Sequence, residues 1–148
     1  MAFDLSRFFK DANNNRQIIS RALEEYKSTI PEADPKWPIQ VVRVWDCIGK
    51  SFADPHMNAG QILQSCGIRS NTIQGLFKWY TGRSIWSVIV YHRVELAKKL
   101  LESNELTVQE IAAGVGYADG VSLGRAFKRL VGLTPTRFKA SREDIWLN

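Results

Sequence analysis

The chain is poor in the residues that metal and thiol chemistry require: its 148 residues include two cysteines and two histidines. Cys47 and Cys66 each fall in a helical context without a CxxC partner, and His56 and His92 stand equally isolated. A zinc site takes about four ligands at recognisable spacing, so no metal is expected. For the cysteines the expectation is two buried thiols in a reducing compartment, ahead of a disulfide. No apolar run approaches the roughly 20 residues that span a bilayer, and no membrane partner is expected. The opening stretch MAFDLSRFFKDANNNR lacks a signal-peptide core and mixes both charge signs, which predicts a cytoplasmic protein. Strand alternation is missing too, with Val and Ile falling at helical spacing instead. The fold class expected is all-α, and no catalytic residue or cofactor is expected.

Charge is present, and its location is informative. Residues 1 to 57 hold eight Lys+Arg and eight Asp+Glu, whereas residues 58 to 148 hold twelve and seven, so the whole net charge of +5 sits in the second part. A basic surplus of this kind points to an anionic partner.

Residues 4 to 29 read as helical, with Ile18, Ile19, Leu23 and Tyr26 at helical spacing and Asn13 to Asn15 as a break or cap that would divide the segment into a short helical pair. Phe8, Phe9, Ile18, Ile19 and Leu23 are the residues expected to cover the core or touch a second protein. Pro31, Pro35 and Pro38 then exclude a continuing helix. Residues 1 to 38 are therefore read as an N-terminal helical extension and linker. From Ile39 the helical period returns with Val41, Val42, Val44, Trp45 and Ile48, closing near Gly49 before a turn at Asp54-Pro55. Asn58-x-x-Gln61 and Thr107-x-x-Glu110 have the form of capping boxes. Ser84 is placed to cap a long helix running to Ser103, and Thr134-Pro135 offers a cap followed by proline at the first helical position.

Two stretches nearly repeat: CGIRSNTIQGLFK at 66 to 78 and VGYADGVSLGRAFK at 115 to 128. Ile62 and Ile111, and Gly67 and Gly116, lie 49 apart; Phe77-Lys78 and Phe127-Lys128, and Gly82 and Gly132, lie 50 apart. Each copy reads as helix, glycine turn, helix, with Ile68 or Tyr117 plugging the angle. In the first copy Ile73, Leu76 and Phe77 form the inner face, and Asn71, Gln74 and Lys78 the outer one. In the second, Leu123, Ala126, Phe127 and Leu130 are read as inward, and Val121, Ser122, Arg125, Lys128 and Arg129 as outward. The packing residues repeat while the outer ones differ, as expected of one frame copied to present two surfaces. Their chemistry suits DNA: Arg125 matches a guanine edge, Gln74 or Asn71 an adenine edge, and Lys78, Lys128 and Arg129 the phosphates. Between the copies, residues 84 to 104 form about 30 Å of helix, close to the 34 Å between successive major grooves. Ile85, Val88, Ile89, His92, Leu96, Ala97 and Leu100 are its expected inner stripe.

Residues 39 to 140 resemble the DNA-binding domain of the AraC/XylS family of bacterial transcription regulators. The resemblance is carried by SNTIQGLFKWYTG, RVELAKKLL and LTVQEIAAGVGYADGVSLGRAFKRLVGLTPTRFK, the last of which is the most specific. It implies seven helices forming two helix-turn-helix subdomains, about 58–82 and 107–132, joined by a connecting helix at about 84–103 within an AraC-type domain at 39–148. It also implies DNA-contacting residues at Asn71, Thr72, Gln74, Gly75 and Lys78 in the first unit and at Val121, Ser122, Arg125, Lys128 and Arg129 in the second. Gly75 and Val121 stand where the family commonly has long polar side chains, so the first unit is expected to read shape and thymine methyls more than hydrogen-bonding patterns. The implied partners are double-stranded DNA and RNA polymerase, with the chain a monomer or weak dimer acting as an activator. A protein-interaction module of the same fold with weakened DNA reading is the alternative.

Overall fold

The computed structural model describes residues 5–147, with the side chains of Phe8 and of 144–147 left outside that description. Asp4, included in the helical reading, also lies outside it. Among the described residues eight helices follow in order: α1 Leu5–Thr29, α2 Ile39–Ser51, α3 Ala59–Ser65, α4 Ile73–Thr81, α5 Ile85–Leu101, α6 Val108–Val115, α7 Gly120–Val131 and α8 Pro135–Leu147. No strand occurs among the described residues.

Helix α5 is the axis on which the rest is assembled, touching α1, α2, α4, α6, α7 and α8. The expected stripe of Ile85, Val88, Ile89, His92, Leu96, Ala97 and Leu100 is buried, but so are Val90, Arg93, Val94 and Leu101. Burial therefore runs around the helix instead of down one side, as it must for an element flanked by both repeats. Ser84 caps it, accepting from the Ser87 N–H.

The repeats close in the same way. Gly67 and Gly116 both have positive φ, and the next residue's N–H bonds back five residues, Ile68 to Leu63 O at 2.9 Å and Tyr117 to Ala112 O at 2.8 Å. This is the six-to-one bond that ends a helix and turns the chain. Thr107 and Glu110 form the complete capping box of α6. At α3 only half forms, with Asn58 accepting from the Gln61 N–H and no return bond described. Phe77 and Phe127, 50 residues apart, are both fully buried.

Four sequence expectations are corrected. Asn13 to Asn15 neither break nor cap α1, which runs unbroken for 25 residues. The segment is held from outside: Asn15 donates to Glu110 Oε1 at 3.1 Å, and Ile18, Ile19, Leu23 and Tyr26 pack on the core, so tertiary contact outweighs three poor helix formers. Phe9 is 66% exposed, so of its two expected roles the covering of the core is not the one it fills. Cys47 and Cys66 lie side by side across α2 and the end of α3, with Cα atoms 6.7 Å apart, and are half-buried instead of fully buried and apart. Leu130 is 46% exposed, because α8 packs under α7 at Phe138 on Phe127 and Val131 takes the inner position in the last turn.

Candidate nucleic-acid interface

Helix α4 buries Ile73 and Phe77 and half-buries Leu76, and this orientation leaves Gln74, Gly75 and Lys78 exposed. Asn71 and Thr72 are exposed as well, but they precede the helix, whose first residue is Ile73. Thr72 occupies the N-cap position without capping; its hydroxyl and that of Ser70 share a 2.7 Å hydrogen bond. The sequence reading that put Asn71 on the helix at i, i+3, i+7 with Gln74 and Lys78 thus moves it into the preceding turn.

Helix α7 is set more firmly. Asp119 caps it by accepting from the Ser122 N–H at 2.8 Å, and the Gly120 N–H donates to Gln109 Oε1 of α6 at 3.0 Å, fixing the angle between the two helices. The Ser122 N–H, with Arg125 nearby, holds the Asp119 carboxyl below the usual carboxylate range. With Leu123, Ala126 and Phe127 buried, Val121, Arg125, Lys128 and Arg129 are exposed and Ser122 is half-buried. The ten candidate residues form two clusters, one in each unit, and none is in the interior.

The two clusters are cationic by omission of acids. Neither α4 nor α7 contains Asp or Glu. Lys78, Arg125, Lys128 and Arg129 enter no ion pair among the described residues; the pairs lie at Lys98–Glu95, Lys99–Glu25 and Arg142–Glu102. Unpaired, they remain available to an external anion. No group of three His, Cys, Asp or Glu residues converges to hold a metal among the described residues.

Two glycines show how differently the frame and the open face are constrained. At Gly116, φ is +109° and an added Cβ would lie 2.8 Å from Arg93 Nε and 3.0 Å from Ala53 O. Gly116→Ala is therefore expected to destabilise by more than the roughly 1 kcal/mol of conformational strain alone. At Gly75 nothing lies within 4 Å of the same position. Gly75→Ala is expected to stabilise by about 0.5–1 kcal/mol, the ordinary helix-interior gain. Thermal denaturation of the two variants checks both signs.

Sequence reasoning missed Arg93, which is 2% exposed. Its Nε donates to Phe52 O at 2.7 Å, and its Nη2 to Asp54 O at 2.9 Å and Met57 O at 3.3 Å. The guanidinium also lies 5.5 Å from the Trp86 ring centre and 5.1 Å from that of Tyr117. Arg93 thus ties α5 to the α2–α3 connection ahead of the first unit and to the turn of the second. Burial pulls its pKa below the usual arginine value, opposed by Tyr117 and Asp54, yet an arginine remains charged in proteins. The signal was in the sequence: Ile89, Arg93, Leu96 and Leu100 share one helical stripe.

A family model described as a helix-turn-helix domain matches residues 62–141, more than half of the chain. The arabinose operon regulatory protein of Salmonella typhimurium is 27% identical over 96 residues, covering 65% of this chain and 34% of that protein, so the chain spans about a third of that relative's length. Among solved structures, the C-terminal domain of AraT, a response regulator from Geobacillus stearothermophilus, superposes with a TM-score of 0.68 at 25% identity, covering 72% of this chain and 88% of that one. The DNA-binding domain of the global transcriptional factor AdpA, solved in complex with a target DNA, shares the fold with a TM-score of 0.62 at 22% identity over 69% of this chain and 91% of that one. Two helix-turn-helix units on a common axial helix, a family match across both and relatives among operon regulators place the chain in the AraC/XylS family of transcription regulators.

Proposed function

We propose that the chain binds duplex DNA in a sequence-specific manner, laying α4 and α7 in adjacent major grooves, and regulates transcription in the cytoplasm. The observation that carries this reading is the contrast between the repeats: their buried residues correspond, while their exposed faces differ and carry four cations that enter no ion pair among the described residues, on helices without Asp or Glu. A face selected only for solubility has no need to exclude acids from both helices. The AdpA domain of the same fold sits on a target DNA in its crystal, which supports the same use here. Arg125 reads a guanine edge, Gln74 an adenine edge, and Lys78, Lys128 and Arg129 neutralise phosphates. An activator that binds as a monomer or weak dimer and contacts RNA polymerase is the regulatory form this reading takes.

The test is a fluorescence-anisotropy titration of the full chain against duplexes enriched from a random pool, repeated across salt concentrations. Binding should weaken linearly in log–log form with salt. Arg125→Ala should cost about 1–3 kcal/mol and relax preference at one position, whereas Lys128→Ala should weaken all sequences alike and reduce the salt slope by about one. Salt-insensitive binding, or none, rejects the reading.

A protein-interaction module is favoured by one specific pair, Gly75 and Val121, which place no polar atom on the open faces; Val121 is 64% exposed. A stoichiometric protein complex that survives Arg125→Ala, with no duplex enriched, would establish it.

A further inference from the structure

The most exposed large apolar side chain among the described residues is Trp79, at 83%. It adds little to the core, and single apolar residues on a surface are ordinary, so its position decides whether it means anything. It lies on α4 one turn after Gly75 and beside Lys78, on the side left open once Ile73 and Phe77 are buried. Side chains on a helix lean toward its N-terminus and cover the turn before their own Cα. Trp79 thus shares the open side of α4 with Gly75 one turn earlier, and it leaves that glycine uncovered, since nothing lies within 4 Å of a would-be Cβ there.

The repeat sharpens the point. At the 50-residue offset set by Phe77 and Phe127, Lys78 corresponds to Lys128, Gly75 to Arg125 and Trp79 to Arg129. Where the second unit presents two guanidinium groups one turn apart, the first presents bare backbone and, one turn later, an exposed indole. The phosphate-reaching lysine is kept and the guanine-reading chemistry is gone. The one apolar feature that base edges offer in the major groove is the thymine C5 methyl group, and a flat indole beside an unobstructed glycine is suited to it.

Resting on the DNA-binding reading, we infer that Trp79 is a specificity-determining residue of the first unit, packing on thymine methyl groups at the place where Gly75 lets the duplex approach. The partner is duplex DNA because the flanking residue is cationic and α4 has no acid to repel phosphate.

The experiment starts from duplexes enriched by the full chain. The block of the site whose preference persists in Arg125→Ala is assigned to the first unit, and each thymine within it is replaced in turn by uracil, which removes only the methyl group. At one or two positions the wild-type chain should bind the uracil duplex about fourfold more weakly, the equivalent of one buried methyl. Trp79→Ala should lose at least that factor on the thymine duplex and respond to uracil less than twofold, while its thermal midpoint stays at the wild-type value. Unchanged thymine discrimination in Trp79→Ala overturns the assignment while leaving DNA binding intact. So does full DNA binding by Trp79→Ala with loss of a bound protein partner. Failure to enrich any duplex removes the DNA-binding reading itself, and this assignment with it.

Discussion

Replacing Arg93 by leucine is expected to destabilise the fold by about 3 kcal/mol or more and lower the thermal midpoint by roughly 10 °C. The side chain supplies three hydrogen bonds to the carbonyls of Phe52, Asp54 and Met57, within a segment that leads into the first helix-turn-helix unit. Leucine fills much of the volume but leaves the buried Phe52 carbonyl, and the part-buried Met57 carbonyl, without this donor, while Asp54 O keeps the Met57 N–H; a buried orphan acceptor costs about 1–3 kcal/mol. The stacking on Trp86 and Tyr117 is lost in the same step. Arg93→Lys should recover little, because an ammonium is a point donor without the planar fork that spans separated carbonyls or lies flat on a ring. Because the lost contacts join both units, affinity for DNA is expected to fall even at temperatures where Arg93→Leu remains folded. Differential scanning calorimetry with anisotropy measured well below the midpoint separates the two effects; a midpoint within about 2 °C of wild type would contradict the role assigned to Arg93.

The second large effect is a dependence on pH set by His92. This residue is 4% exposed, lies among Tyr26, Trp45, Phe52 and Tyr91, and shares a 2.7 Å hydrogen bond between its Nδ1 and the Tyr26 hydroxyl. Burial pushes the Tyr26 hydroxyl pKa upward, so the hydroxyl stays protonated beside the neutral ring. Burial lowers the His92 pKa from 6.5 to about 4. Between these values the unfolded chain carries a proton that the folded chain does not, so unfolding free energy rises with pH through the window. The stabilising contribution is complete above about pH 6.5 and is lost as pH falls toward 4, to a total of about 3 kcal/mol. His92→Asn keeps a hydrogen-bonding group near Nδ1 but cannot titrate, so its stability should change by about 3 kcal/mol less than wild type between pH 7 and 4. Urea denaturation at both pH values measures this, and equal pH dependence in the two proteins would refute it. Since Tyr26 belongs to α1 and His92 to α5, the loss should begin with release of the N-terminal helix, supported elsewhere by Glu25–Lys99 at 2.8 Å and by Ile19 against Gly114.

What could be read from the chain alone follows from which interactions are local. Capping residues act within three or four positions, so Ser84, Thr107 and Thr134 marked the starts of α5, α6 and α8. Glycine turns are local as well, and Gly67 and Gly116 announced both units. Buried partners from distant parts of the chain leave weaker traces. Asn13 to Asn15 look like a break because their neighbours in sequence give no hint of Glu110, 95 residues beyond Asn15. The approach of Cys47 to Cys66 depends on how α2 meets α3, which spacing does not specify. Leu130 has the inward period, yet α8 determines what its last turn meets. On the open faces, type and exposure of side chains were legible, and Trp79 escaped notice because an apolar residue in a helix is ordinarily assigned to the core.

The central claim is that both units read DNA, side by side on one duplex. Sequencing the duplexes that the full chain enriches from a random pool tests it most directly. The account predicts two blocks of base preference with centres about 10 to 10.5 base pairs apart, one relaxed by Arg125→Ala and the other by Gln74→Ala. A single block unaffected by one of these substitutions, or no enrichment, would contradict it.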